Sequence, residues 1–233
     1  MNDTLTKLKK RLRDFASKED AKFLQRFFKT GPGQYGEGDV FIGVRVPDNR
    51  KVAKEFKDLS MSDLNILIKS PIHEERLLAL IIITFQFAKA DDKNQKLLFD
   101  LYLSNTKSIN NWDLVDLSAP NVVGAYLLNR DRSILFKMAK SKLLWDRRIA
   151  VVATHYFIRN NSFDHTLKIS EMLLEDNEDL MHKAAGWMLR EVGKRDVEVL
   201  RGFLNKHHKI MPRTMLRYAI EKFEEKERKS YLK

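Results

Sequence analysis

Glu75-Arg76-Leu77-Leu78-Ala79-Leu80 decides the fold, because the chain writes versions of it twice more, as Arg147-Arg148-Ile149-Ala150-Val151-Val152 and as His182-Lys183-Ala184-Ala185-Gly186-Trp187. Each version sets a cation just ahead of an apolar, small-residue helix. Arg76 and Arg148 stand 72 residues apart, and Arg148 and Lys183 stand 35 apart. A period near 36 calls for a further unit opening close to position 112, where Trp112 stands. Two helices per unit at about this period is the spacing of HEAT-type α-solenoids, whose units bury their apolar faces only by stacking on one another. The expected fold is therefore all-α, a HEAT-like α-α solenoid, as a single domain over residues 1–233.

In such an array the second helices line the concave surface, and the residues that open them form columns. Arg76, Trp112, Arg148 and Lys183 would make one column, with Asp116 and Trp187 one turn further on. Arg213 and Arg217 extend the pattern less regularly. Cations, two tryptophans and one carboxylate are thus expected on a shared face.

Composition agrees with helices. Hydrophobic residues make up 43% of the 233, enough to build a core, while only 9 Gly and 5 Pro argue against a turn-rich β fold. The absence of Cys excludes disulfides, thiolate metal ligands and a cysteine nucleophile. Lys and Arg outnumber Asp and Glu by 43 to 32, a formal charge of +11, and phosphate is the usual partner of such an excess. The N-terminal stretch MNDTLTKLKKRLRDF is charged and carries no apolar signal region. The most apolar run, Leu77 to Phe87, is about half of a membrane span. A soluble protein of the cytoplasm is the expectation.

Helical periodicity starts at Leu5, Leu8, Leu12 and Phe15 and continues in a second helix over residues 21–28, ended by Thr30-Gly31-Pro32-Gly33. Residues 31–47 interrupt it. Val40-Phe41-Ile42-Gly43-Val44-Arg45-Val46, β-branched and bounded by Pro47, predicts an extended insertion or a small β-hairpin. Ser60 with Asp63, and Ser70-Pro71, read as helix starts.

Several motifs carry no chemistry. Gly31-Pro32-Gly33-Gln34-Tyr35-Gly36 matches a dinucleotide loop in letters, but it follows a helix and opens a strand-like run, the reverse of what pyrophosphate binding needs. The histidines, His73 among them, show no metal-ligand spacing. Asp91-Asp92 reads as a solvated loop pair and Trp145 as a packing residue. Asn111-Trp112-Asp113-Leu114-Val115-Asp116 is different. Asp113 fits a helix start, and Asp116, four residues after Trp112, projects from the same face. A carboxylate repels phosphate, so on a basic face it points to a task other than phosphate binding.

With Phe41-Ile42-Gly43-Val44-Arg45-Val46-Pro47, Trp145-Asp146-Arg147-Arg148-Ile149-Ala150 and Lys183-Ala184-Ala185-Gly186-Trp187-Met188-Leu189-Arg190-Glu191 in the same order, the chain resembles the AlkD-like family of bacterial DNA alkylation-repair glycosylases over roughly residues 20–220. The resemblance implies that Trp112 and Trp187 pack against the deoxyribose of a damaged nucleotide, that Asp116 is the catalytic aspartate, and that Arg148 contacts the DNA backbone. Phe27 stands where such proteins have a cleft tyrosine. Arg45, Arg50, Arg76, Arg147, Lys183 and Arg190 complete the expected DNA-binding set. The implied activity is monofunctional hydrolysis of the N-glycosidic bond of cationic N3- or N7-alkylated purines in duplex DNA, by a monomer with no cofactor and no metal. The alternative is a non-catalytic binder of branched DNA using the insertion with Arg45 and Arg50; a scaffold for an acidic protein is a third reading.

Overall fold

A computed structural model describes residues 3–233, so the first two residues of the charged N-terminal stretch lie outside the description. Among the described residues the secondary structure is helical, and its β structure is one isolated parallel bridge between Val40 and Ile72. The chain divides into two compact units, residues 1–118 and 119–233.

The first unit holds α1 (Asp3–Arg13), α2 (Lys18–Phe27), α3 (Val46–Glu55), α4 (Met61–Leu67), α5 (His73–Phe87), α6 (Asp92–Ser104) and most of α7 (Trp112–Ala119). Its centre is α5. Every residue from Leu77 to Ile83 is buried, because a helix that is apolar on all sides must be covered on all sides. Helices α3, α4 and α6 cover it, and α1 packs on α3 with Leu5, Leu8 and Leu12 inward. Two acids of the first turn of α5 are buried as well and act as staples. The Glu75 carboxylate takes Lys9 Nζ at 2.8 Å and Arg13 Nη2 at 3.1 Å, which fixes α1. Ser60 and Asp91 cap α4 and α6 by accepting from the backbone N–H groups of Asp63 and Asn94.

No hairpin forms over residues 31–47. Residues 31–39 are a chain of tight turns, and Val46-Pro47, read as the end of a strand, opens α3 instead. The β-branched run does extend, but its donors bond to a side chain rather than to a second strand. The buried Glu74 carboxylate accepts from the N–H groups of Ile42, Gly43 and Val44 at 2.8–3.2 Å. Gly43 has φ +84°, and a Cβ there would lie 2.0 Å from the Ser17 carbonyl, so the strap runs directly over the start of α2.

The second unit opens with a π-helical turn, Pro120–Gly124, followed by α8 (Ala125–Leu127), α9 (Ser133–Ala139), α10 (Leu144–Arg159), α11 (Asp164–Met172), α12 (Asp179–Arg195), α13 (Val197–His207), α14 (Arg213–Ala219) and α15 (Glu225–Leu232). Here the pairing is regular. Helices α10, α12 and α14 lie side by side, while α9, α11 and α13 pack behind them. Close approach is set by Gly186, where an added Cβ would sit 2.5 Å from the Met215 carbonyl oxygen. Gly186→Ala is therefore expected to cost about 1–3 kcal/mol, as overpacking does. Urea unfolding of the full chain measures it, and an unchanged midpoint would mean that α14 yields freely.

The repeat has a measurable register. Loop residues Ser70, Asn105, Ser141 and Asp176 recur every 35 or 36 positions. At Ser70 the carbonyl accepts from Arg76 Nη1 at 2.9 Å while the hydroxyl donates to Glu75 at 2.7 Å and accepts from the Ile72 N–H. Ser141 repeats all three contacts with Arg147, Asp146 and Leu143. His182 reaches the Asp176 carbonyl in the same way. Arg76 is thus the counterpart of Arg147 and His182, one residue out of step with the column expected from Arg148 and Lys183. It also follows that α5 starts at His73, three residues beyond Ser70, with Ser70 capping the bend ahead of it.

Candidate functional site

Helix α7 places the two residues that the sequence singles out. Trp112 and Asp116 are four apart, half-buried and on one face. Trp112 is held by aromatic and polar neighbours. Its ring stacks on Phe28 at 5.2 Å between centroids and meets Phe27 edge-on at 6.1 Å, while Nε1–H donates to the Tyr35 hydroxyl at 3.3 Å. The backbone N–H of Trp112 donates to the Asn111 side chain at 2.9 Å. The charge of Asp116 is felt by Tyr102, whose buried phenol is pushed up first by desolvation and then by this carboxylate. Tyr102 therefore stays a neutral hydrogen-bonding group, 2.9 Å from Ser118 Oγ.

Beneath Trp112 lies a buried charged cluster that sequence reasoning missed. His73 bonds Asp113 through Nε2 at 2.8 Å and Asp39 through Nδ1 at 3.1 Å. Asp39 also accepts from Arg76 Nη2 at 2.6 Å, from Asn111 Nδ2 at 3.1 Å and from Asn110 Nδ2 at 3.2 Å. Phe41 stacks on the imidazole at 4.4 Å and Phe28 covers it from 5.2 Å. Burial alone pushes His73 down, but the Asp113 charge and the bonds to Asp113 and Asp39 overcome it and raise the group to about 9. The imidazole is then a cation at neutral pH, with both ring N–H groups donating. Burial likewise pushes Asp39 up, and His73, Arg76 and Asn111 together hold it below the usual carboxylate range. The cluster ties the turn at residue 39, the start of α5 and the start of α7 to one another. A lone histidine in a helix-rich sequence gives no sign of this; Asn110-Asn111 ahead of Trp112 is the one local hint.

In the second unit Trp187 is half-buried on α12, with the His155 ring of α10 at 5.7 Å. Burial, then the Arg159 charge, pushes His155 down, so it faces Trp187 as a neutral ring. Arg148 is buried, only 5% exposed, and donates from Nη1 to the Leu180 carbonyl at 2.7 Å. Lys183 pairs with Asp179 at 2.7 Å, and Arg190 pairs with Glu221.

Two members of the expected DNA-binding set are engaged within the protein. Arg76 is 4% exposed and committed to Asp39 and the Ser70 carbonyl. Arg147 grips Asp176 with Nε at 2.6 Å and Nη2 at 3.2 Å, and gives Nη1 to the Ser141 and Lys142 carbonyls. Both brace the loop before their helix. Arg45, Arg50 and Phe27 are exposed on the first unit, with Arg45 paired to Asp20.

Among the described residues no three His, Asp or Glu side chains are grouped to hold a metal, and no helix is long and apolar enough to cross a membrane. Comparison with curated proteins gave no match. Among solved structures, a predicted DNA alkylation repair enzyme from Enterococcus faecalis is similar with a TM-score of 0.69 at 16% identity, covering 90% of this chain and 97% of that one. At that identity the likeness speaks for the fold alone. The family model for DNA alkylation repair enzymes matches residues 8–223, nearly the whole chain, and the protein belongs to that family.

Proposed function

We propose that the protein excises cationic N3- or N7-alkylated purines from duplex DNA by hydrolysing the N-glycosidic bond. The observation that carries this reading is the pairing, on one face of α7, of a half-buried carboxylate with an indole ring already backed by Phe28. An alkylated purine is cationic, so the C1′–N bond breaks with its electron pair passing to a base that leaves neutral. The barrier then lies in the positive sugar. Asp116 stabilises that charge and orients the water whose oxygen bonds C1′, and the proton released passes to the carboxylate or to solvent. Trp112 and Trp187 pack against the deoxyribose, each adding roughly 0.5–2 kcal/mol of cation–π attraction. Lys183, Arg190, Arg45, Arg50 and Arg148 form the phosphate-contacting set of this reading, and Phe27 flanks Trp112. The protein works in this reading as a HEAT-like monomer.

The test is release of 7-methylguanine from duplex DNA under single-turnover conditions, with affinity measured across salt. Free base is expected, and log K should fall against log salt with a slope near −4 to −5 if about five phosphates are neutralised. No base release alongside a steep slope would leave a non-catalytic DNA binder, a reading that the exposed rings of Phe23 and Phe27 favour. A flat slope would remove DNA altogether.

A further inference from the structure

Helix α2 has no buried residue, although Phe23 and Phe27 lie one turn apart on it. They are 43% and 51% exposed, and their rings are nearly parallel, 14° between planes and 5.9 Å between centroids. Two phenylalanines this open to water, i and i+4 on one helix, present a continuous apolar strip. Its surroundings are cationic. Lys22 and Arg26 are exposed beside the rings, and the Arg45 guanidinium stands 5.1 Å over Phe23. Asp20 holds Arg45 in place, which fixes the guanidinium on the ring.

An apolar protein helix would be met by an apolar rim, and an acidic peptide would not need flat, stacked rings. Flat π-faces bordered by fixed cations match one chemistry, a nucleobase on its phosphate backbone. Position agrees, because Phe27 touches Trp112 edge-on, so the strip runs outward from the indole that the proposed function puts against the damaged nucleotide.

We propose that Phe23 and Phe27 are a stacking platform for one or two unpaired bases next to the target nucleotide, with Arg45 clamping the phosphate between them. This rests on the reading of the protein as a DNA binder and adds a preference to it. Duplexes interrupted by unpaired bases should bind more tightly than fully paired ones, through rings distinct from Asp116.

The experiment compares two 5′-labelled duplexes of one sequence, fully paired and with a two-nucleotide bulge carrying 2-aminopurine, against wild type, Phe23→Ala, Phe23→Tyr and the double variant Phe23→Ala/Phe27→Ala. Wild type is expected to favour the bulge by tenfold or more and to change 2-aminopurine emission on binding. Stacking of a base on a ring is worth about a factor of ten, so Phe23→Ala should cut the bulge preference about tenfold while Phe23→Tyr keeps it. Both phenylalanines are exposed, and circular dichroism of the variants reports any loss of helix. Equal affinity for the two duplexes, or a preference that survives in the double variant, overturns the platform while leaving DNA binding standing. Failure to bind either duplex overturns both readings.

Discussion

Asp116→Asn is expected to slow release of 7-methylguanine by a factor of about 10²–10³, the loss that follows removal of one preorganised electrostatic group from a transition state. The substitution is nearly isosteric, so it removes charge and leaves packing. Because the leaving base is already activated by its own positive charge, little of the barrier depends on protonating it, and the missing stabilisation falls on the sugar. Ground-state binding should move the other way. A negative charge on a DNA-facing surface weakens phosphate binding, so affinity for the alkylated duplex should hold or rise by a few-fold. Single-turnover rates and anisotropy titrations on the same preparations separate the two effects. A rate within threefold of wild type would take Asp116 out of the chemistry. A parallel collapse of rate and affinity would make it a structural residue of α7.

The sequence carried the repeat well and its register imperfectly. Cation-plus-apolar segments at a period near 36 located α5, α10 and α12, and pointed to residue 112, where α7 begins. Arg76 was aligned with Arg148, whereas the bonds at Ser70 and Ser141 align it with Arg147. One residue is about 100° of rotation on a helix, enough to turn Arg76 from the expected column to the buried brace of the loop at Ser70. The hairpin failed for a related reason. Val40 to Val46 has the composition of a strand, but its donors at Ile42, Gly43 and Val44 are satisfied by the carboxylate of Glu74, which is 1% exposed in the fold. Buried charge is invisible to a hydrophobic pattern, because the pattern cannot say which acids have partners. For the same reason Asn111-Trp112-Asp113-Leu114-Val115-Asp116 stands out in the sequence while the cluster that holds it, His73 with Asp39, does not. Trp112 and Asp116 announce themselves by being unusual together; His73 matters through residues 34 and 40 positions away.

That support gives the second large effect. His73 is about 1% exposed, lies between two carboxylates and is raised from 6.5 to about 9. A group that holds its proton more tightly folded than unfolded stabilises the fold fully below its unfolded pKa. The contribution declines as pH climbs from 6.5 to 9 and is gone above that, and a shift of this size is worth about 3 kcal/mol. His155 and His165, which burial pushes down, act with the opposite sign and at the acid end, where stability grows as pH rises toward 6.5. The alkaline window therefore belongs to His73. Wild type should lose about 3 kcal/mol of unfolding free energy between pH 6.5 and 9.5 in urea titrations. His73→Leu should be less stable by about 3–5 kcal/mol at pH 6.5, because it leaves two carboxylates beside each other without their bridging cation. Its stability should then be nearly flat over the same window. Since His73 pins the first turn of α7, the wild-type loss should be accompanied by faster hydrogen exchange at Trp112 and Asp113, ahead of α12. The imidazole can be followed directly by NMR. A His73 titration at or below 6.5, or an alkaline limb that persists in His73→Leu, would show that the cluster is neutral and that something else holds α7 in place.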